Sequence, residues 1–376
     1  MKLDVAIIGG GPAGSAAAIV LANAGLRVAL IERTTYNVER IGETLPPEIF
    51  VPLHQLGVWE QFIHAGHLES PGIVTCWGSP QPFENDFLFN PYGRGWHVNR
   101  KTFDRMLADA ACRAGASLFV DTSVRRLTLE ADGQWAIEAN RRDAQISFVA
   151  DYVIEARGRA GGLTRNVNRP LRLDRLVGCA AFFHCSDMVD ANETRAVIEA
   201  RPEGWWYSSS LPGNTLVVVF MTDADLIPAA RNKAFEYFRQ RLQETDLTRR
   251  RLAHTVTLNV FRRFAADTRW RSAVHTKMIA AGDAAMTFDP LSAQGVFKAL
   301  LSGQSAARGV IAARSGSKTA LQDYADELTR EFQTYMDTRS QYYRAEQRWP
   351  ASPFWRRRHR ARFSASDGTS QERTSE

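Results

Sequence analysis

Three glycines in the spacing Gly-x-Gly-x-x-Gly, at Gly9, Gly11 and Gly14, follow the apolar run Val5 to Ile8 and precede a stretch dominated by alanine. Between a strand and a helix, Gly9 permits a tight turn, Gly11 lets the backbone approach a diphosphate, and Gly14 lets helix and strand pack closely. The helix start adds unpaired N–H donors and a partial positive charge for the phosphates. Glu32 stands 18 residues past Gly14, at the end of the next apolar run, where its carboxylate can accept from both ribose hydroxyls of an adenosine. Gly9, Gly11, Pro12, Ala13, Gly14, Glu32 and the neighbouring Arg33 are therefore the candidate dinucleotide-binding residues. This fingerprint alone does not distinguish a nicotinamide from a flavin dinucleotide.

Two further groups invite a chemical reading. Glu43, in the turn Gly42-Glu43-Thr44-Leu45-Pro46-Pro47, offers a carboxylate that can bind substrate or move a proton, or else cap the helix that follows. Trp205, Trp206 and Tyr207, with Met221 on the next strand, can line an aromatic substrate cavity or simply fill the core of a sheet. Cys76, Cys112, Cys179 and Cys185 form no Cys-x-x-Cys pair, so neither a disulfide framework nor a metal site is expected, and reduced cytoplasmic thiols are the simplest reading.

The elements that must position these residues can be read from periodicity. Val5 to Ile8, the helix Ala13 to Ala24 closed by Gly25, and Val28 to Ile31 spell a βαβ unit with a right-handed crossover. A second parallel unit uses the helix Lys101 to Ala114 and the strand Ser117 to Val120; Leu127 to Ala139 is a hairpin turning at Asp132-Gly133, and Val149 to Ala156 returns as a strand. From Val177 to Phe264 the grammar changes to an antiparallel sheet (Gly178 to His184, Ala196 to Arg201, Trp205 to Leu211, Thr215 to Thr222) with one helix, Ala229 to Glu244. Lys277 to Ala281 resumes the buried-strand pattern, followed by helices over Ala293 to Ala313 and Leu321 to Arg348.

With 376 residues, 44% hydrophobic and 23% charged, the chain is an ordinary globular sequence of two or three domains, which excludes disordered, collagenous and coiled-coil classes. The formal charge is +6, but Arg356, Arg357, Arg358, Arg360 and Arg362 supply five of the cations within seven residues, and without them the body carries +1. A basic cluster of this kind is most simply a solvated face, so no nucleic-acid partner is expected. The uncharged stretch from Asp4 to Arg27 is cut by glycines into pieces too short for a membrane span.

The segment Ala280-Ala281-Gly282-Asp283-Ala284-Ala285, followed by Asp289-Pro290-Leu291-Ser292-Ala293-Gln294-Gly295, resembles the second flavin motif of the FAD-dependent aromatic hydroxylases, flavin halogenases and geranylgeranyl reductases. The resemblance implies an α/β fold: a Rossmann-like FAD-binding domain of the aromatic-hydroxylase, glutathione-reductase-like type, with an inserted antiparallel substrate sheet and C-terminal helices. The expected boundaries are 1–72, 97–176 and 270–318 for the FAD domain, 73–96 and 177–269 for the substrate domain, 319–363 for a helical segment and 364–376 for a disordered tail. It implies FAD as cofactor, Gly282 and Asp283 at the ribityl chain, and the loop from Pro290 through Gln294 to Gly295 and Val296 beneath the flavin. Arg100 matches the arginine that these proteins turn back to the FAD phosphates, Val124 sits where a backbone group holds the adenine, and the Glu43 turn is similar to the Gly-Glu-x-x-x-Pro turn placed against the isoalloxazine. Glu43, Pro290 and Gln294 are the candidate catalytic positions.

Departures from the family narrow the expected activity. Where NAD(P)H-using hydroxylases carry an Asp-Gly motif, this chain has Glu155-Ala156-Arg157-Gly158-Arg159-Ala160-Gly161, so the reductant is NAD(P)H used directly or, with Arg157 replacing the acid, through a separate flavin reductase. The halogenase signature Trp-x-Trp-x-Ile-Pro is not met by Gly204-Trp205-Trp206-Tyr207-Ser208-Ser209-Ser210-Leu211-Pro212, nor does a lysine stand in the expected context. The stretches from Glu203 to Leu226 and from Tyr342 to Arg356 resemble the flavoproteins that hydroxylate a partner protein's tryptophan during maturation of quinone-containing amino-acid oxidases and amine dehydrogenases. The implied activity is a FAD monooxygenase acting through a flavin C4a-hydroperoxide on an electron-rich ring, above all tryptophan. A double-bond reductase of the geranylgeranyl type is the alternative, and a flavin halogenase or a non-catalytic scaffold ranks lower.

Overall fold

The computed structural model describes residues 1–142, 144–160, 170–186 and 194–360. The expected tail 364–376, Arg362 and Gly161 lie outside the described residues. The principal helices are α1 (Pro12–Asn23), α2 (Arg100–Arg113), α3 (Arg231–Leu242), α4 (Gly295–Arg314), α5 (Ala320–Ala345) and α6 (Pro353–Arg360). Two compact units divide the chain: Met1–His67, Val98–Pro170 and Arg269–Arg330 form the first, and Leu68–His97, Leu171–Thr268 and the residues from Glu331 onward form the second. The helical segment expected over 319–363 is thus apportioned between them, Ala320 to Arg330 counting with the first.

The first unit is built on a parallel sheet in which Lys2–Ile8 lies between Val28–Ile31 and Ala144–Glu155, with Met278–Ala280 beyond the latter and Ser117–Phe119 beyond the former. The near-continuous apolar run of the first strand is what burial on both faces requires, and all its residues after Lys2 are buried. Register sets the site: Ile8 pairs with Ile31 and with Glu155, and Glu155 with Ala280. The glycine turn, Glu32, the segment after Glu155 and the segment after Ala280 therefore leave one carboxyl edge, where ligands bind in open α/β sheets. The Asp132-Gly133 hairpin forms as expected, its strands Thr122–Leu129 and Trp135–Arg141 pairing with a bulge at Glu138/Ala139.

The second unit holds a seven-stranded sheet in the spatial order Thr255–Ala265, Leu176–Cys185, Thr215–Asp223, Gly204–Leu211, Ala196–Arg201, Gly72–Cys76, Phe83–Asp86. Neighbours are antiparallel except Ala196–Arg201 with Gly72–Cys76. α3 buries Ala234, Phe238 and Leu242 in one core with Trp206, Val218, Phe220 and Phe261. α6 is an element that periodicity does not mark. Its Trp355 donates to the Arg201 carbonyl at 2.8 Å, and Arg358 is buried against Asp223 at 2.9 Å, while Arg357 bridges Asp223 and Asp225. Two arginines of the C-terminal basic cluster are thus internal ties, which corrects its reading as a wholly solvated face.

Candidate functional site

Gly9 has φ +108°, and a Cβ there would stand 2.3 Å from the Ala156 carbonyl oxygen. At Gly14 a Cβ would lie 1.9 Å from the Gly9 oxygen, so both positions demand glycine for close approach. Gly11 is the N-cap of α1, no side chain caps the first turn, and the nearest atom to a Cβ there would be Arg40 Nη1 at 3.6 Å. Pro12 occupies the first helical position, and Ala13 and Gly14 follow it, buried. The donors of this turn are thus left for a ligand, as an anion site at a helix N-terminus requires.

Glu32 is buried; its Oε2 accepts from Gly10 N at 2.8 Å, and its Oε1 from Thr34 N at 3.0 Å and Thr34 Oγ1 at 2.7 Å. Its backbone oxygen accepts from Thr122 N, which starts the strand that carries Val124, and Arg33 points to solvent. Arg100 begins α2 behind the N-cap Asn99 and is buried, as a residue reaching inward should be. Its guanidinium donates to both Asp104 oxygens, at 3.0 and 3.1 Å, and to the Ile41 carbonyl at 2.8 Å. Burial alone would lower the pKa of Arg100, but Asp104, Glu43 and Asp283 more than offset this and raise it, so the cation is fixed. Arg40, which no sequence motif singles out, bridges Glu32 and Asp104, each at 3.3 Å.

Glu43 is buried, and its Oε2 accepts from Gly42 N at 2.9 Å. It does not cap the following helical turn, whose N-cap is Pro46 without a side-chain bond. Val296, the buried second residue of α4, has its Cγ2 3.6 Å from where a Gly42 Cβ would stand, so the Glu43 turn adjoins the start of α4. Pro290 opens a single 3-10 turn held by Asp289, Ala293 adopts φ +50°, and Gln294 and Gly295 are exposed at the N-terminus of a 20-residue helix with no side-chain cap. Asp283, in the turn Gly282–Ala284, meets Arg159 Nε at 3.4 Å. Burial pushes its carboxyl pKa up, and Arg159, Arg100 and Arg269 oppose this. Arg157 points away to the buried Glu155, at 2.7 Å.

The second unit treats the aromatic residues otherwise. Trp206 is fully buried and stacks on Phe220, with Phe238 beside it. Trp205, also fully buried, donates from Nε1 to Tyr343 Oη at 3.1 Å, and Met221, its cross-strand partner, is equally covered. These three leave no surface for a substrate, which corrects their assignment to a cavity: strand register directs them into the packing on either side of the sheet. Tyr207 is half-buried.

Two helices that start without side-chain caps, an open cradle at Gly11, the buried carboxylate of Glu32 and a cluster of arginines are residues that fit a flavin dinucleotide. A protein with this fold and this site is a FAD-dependent oxidoreductase. The chain belongs to the family whose model is described as FAD binding domain, which matches residues 2–338. It is 30% identical over 362 residues to the protein LodB of Marinomonas mediterranea, covering 95% of this chain and 96% of LodB. The myxobacterial chondrochloren halogenase CndH has a similar structure, with TM-score 0.88 at 21% identity over 99% of this chain and 88% of that one. The peptidyl tryptophan dihydroxylase QhpG superposes with TM-score 0.79 at 22% identity over 95% and 79%. At these identities the two structures establish the fold. Among the described residues no helix is long and apolar enough to cross a membrane.

Proposed function

We propose that this oxidoreductase hydroxylates an electron-rich aromatic ring, above all the indole of a tryptophan in a partner protein, with electrons delivered by a separate flavin reductase. One oxygen atom of O2 enters a ring C–H bond, the other leaves as water, and two electrons come from the reductant. FAD supplies the oxygen-activating redox chemistry; the chain binds it, orients it and moves protons. The Gly9 to Gly14 turn, Glu32 and Arg100 hold the nucleotide half, and the start of α4 offers preorganised N–H donors to negative charge on the flavin ring. Glu43, buried within the field of Arg100, is the group to exchange a proton beside the ring.

The observation that carries the tryptophan reading is local. The two stretches that resemble tryptophan-hydroxylating flavoproteins, 203–226 and 342–356, pack on each other: Trp205 bonds Tyr343, and the helix of Trp355 continues into Arg357 and Arg358, which pair with Asp223 and Asp225. They behave as one structural feature rather than two coincidences of sequence. QhpG, a peptidyl tryptophan dihydroxylase, shares the fold. The separate reductase is favoured because Arg157, where nicotinamide-using relatives carry an acid, is engaged with Glu155.

Halogenation is the second reading, favoured by the similarity to CndH. The test supplies FAD, a flavin reductase with NADH, labelled O2 and chloride, with tryptophan-containing peptides and free tryptophan as probes, runs a second arm without oxygen on a polyprenyl alkene, and reads product mass. Gain of one labelled oxygen on the indole is expected. Gain of chlorine would replace hydroxylation by halogenation, and a hydrogenated alkene formed without oxygen, with no labelled indole, would move the protein to the reductases.

A further inference from the structure

The fold divides the arginines near the C-terminal end of the second unit into two populations. Arg357 and Arg358 are tied to Asp223 and Asp225, Arg339 to Asp174 at 2.8 Å, and Arg348 to the buried Glu346. Arg344, Arg356 and Arg360 are exposed, and among the described residues no carboxylate pairs with them. These three uncompensated cations equal half of the chain's formal charge of +6. Arg356 and Arg360, four residues apart, share one face of α6. That helix is fixed from beneath by the fully buried Phe354 and Trp355. His359 Nε2 lies 3.1 and 2.9 Å from the carbonyl oxygens of Tyr343 and Glu346, which brings Arg360 to the end of α5 that carries Arg344.

Aromatic rings lie beside these cations. Tyr342 is 59% exposed, and its carbonyl accepts from Trp77 Nε1 at 2.7 Å. Half-buried Trp349 carries the Arg348 guanidinium 4.4 Å from its ring centre, and that guanidinium donates to the Cys76 carbonyl at 3.1 Å. Phe83, 67% exposed, starts the strand Phe83–Asp86 and pairs with Thr75, next to Cys76. The corner between α5 and α6 and the segment from Trp77 to Phe83 thus form one surface of three rings and three unpaired arginines, all within the second unit. Arginine and aromatic side chains are the types that protein interfaces favour, and on packed elements they lose less freedom on binding than on free loops.

We propose that this surface is the docking site for a protein that presents apolar side chains ringed by carboxylates; resting on the reading of the substrate as a tryptophan held in a partner protein, that protein is the partner. Charge complementarity selects the occupant. A second copy related by a two-fold axis would set these arginines against one another. An anionic membrane or a nucleic acid would meet Glu84, exposed next to Phe83, as well as the arginines, whereas a folded protein can match both signs at fixed positions. Cations on a rigid corner also raise the association rate of an acidic protein, an effect that salt screens.

The test measures binding without turnover, on the full chain loaded with FAD. The probes are labelled tryptophan peptides flanked by glutamates, by serines or by lysines, read by fluorescence anisotropy, together with duplex DNA and phosphatidylserine vesicles. Wild type is expected to bind the glutamate peptide roughly tenfold tighter than the serine one, with the difference shrinking as salt rises. Arg344→Gln, Arg356→Gln and Arg360→Gln combined should erase that preference while flavin content and melting temperature stay unchanged. The same three positions changed to Glu should turn the preference to the lysine peptide, an outcome that unfolding does not produce. Equal affinity for the three peptides in wild type, or a glutamate preference that survives the triple Gln variant, overturns the proposal. So does tighter retention of the DNA or the vesicles, or an arginine-dependent dimer in sedimentation, each of which gives the surface another occupant. Product mass is read separately. A glutamate peptide that binds through the arginines but gains no oxygen leaves the docking surface standing and counts against hydroxylation, whereas labelled indole on all three peptides alike, without arginine-dependent binding, removes the surface and keeps the chemistry.

Discussion

At the scale of single residues, the site is a set of carboxylates whose roles follow from what each accepts. Glu32 takes donors from Gly10 and Thr34 and is available for sharing with a ribose, whereas Asp104 is spent on two arginines. Local spacing made Gly9, Gly14 and Glu32 legible, because turn, helix and strand succeed one another within one βαβ unit. Arg40 and Asp104 were not legible as a pair, because 64 residues separate them and only the fold brings them together. Trp206 shows the converse: an aromatic run invites a substrate reading, but the side of the sheet it faces is a matter of register. Replacing Trp206 by alanine should destabilise the protein by about 3–5 kcal/mol through the cavity left beside Phe220 and Phe238. Denaturant unfolding measures this, and the flavin content of the folded fraction should not change; a stable variant with impaired turnover would return Trp206 to the substrate site.

At the scale of elements, periodicity located the buried parallel strands, the central strands of the antiparallel sheet and the long helices to within a few residues, but not the sheet's outer strands Thr255–Ala265, Gly72–Cys76 and Phe83–Asp86, whose residues are largely exposed or mixed. The helix expected over Leu321 to Arg348 ends instead at Ala345. Glu346 there turns the chain by accepting from Gly78 N and Arg348 N, the former a partner 268 residues away that no local pattern contains. α6 was hidden for a related reason: its arginines look solvated until Asp223 and Asp225 are placed opposite them. At Gly14, α1 meets the glycine turn with no room for a side chain. Gly14→Ala would drive a Cβ to 1.9 Å from the Gly9 oxygen, and overpacking of this kind costs typically about 1–3 kcal/mol. We expect lower stability together with loss of FAD, read as melting temperature and flavin-to-protein ratio; retention of both would show that the turn relaxes freely.

At the scale of the whole molecule, each unit holds a histidine whose ring is kept neutral, half-buried His67 in the first and fully buried His97 in the second. His67 in the first packs between Phe62 and Phe103, and His97 in the second lies beside Ser209; burial lowers each to about 4. The unfolded chain takes up protons near pH 6.5 and the folded one only near 4, so stability is full above about pH 6.5 and falls as the pH drops toward 4. Melting temperatures from pH 7.5 to 4.5 should fall on the acid side, and His67→Phe should flatten part of that limb; an identical limb in the variant would remove His67 from the account. By itself the sequence determined a dinucleotide-binding βαβ start and the strand-rich insertion, because these rest on contacts between near neighbours in the chain, while flavin in particular was implied by the resemblance of the segment from Ala280 to Gly295. Tertiary structure alone decided which aromatics are core, how the C-terminal arginines are paired and how Arg40 and Arg100 join the ribose acid to the Glu43 turn. Those outcomes depend on strand register and on ion pairs between distant segments, which exist only once the chain has folded.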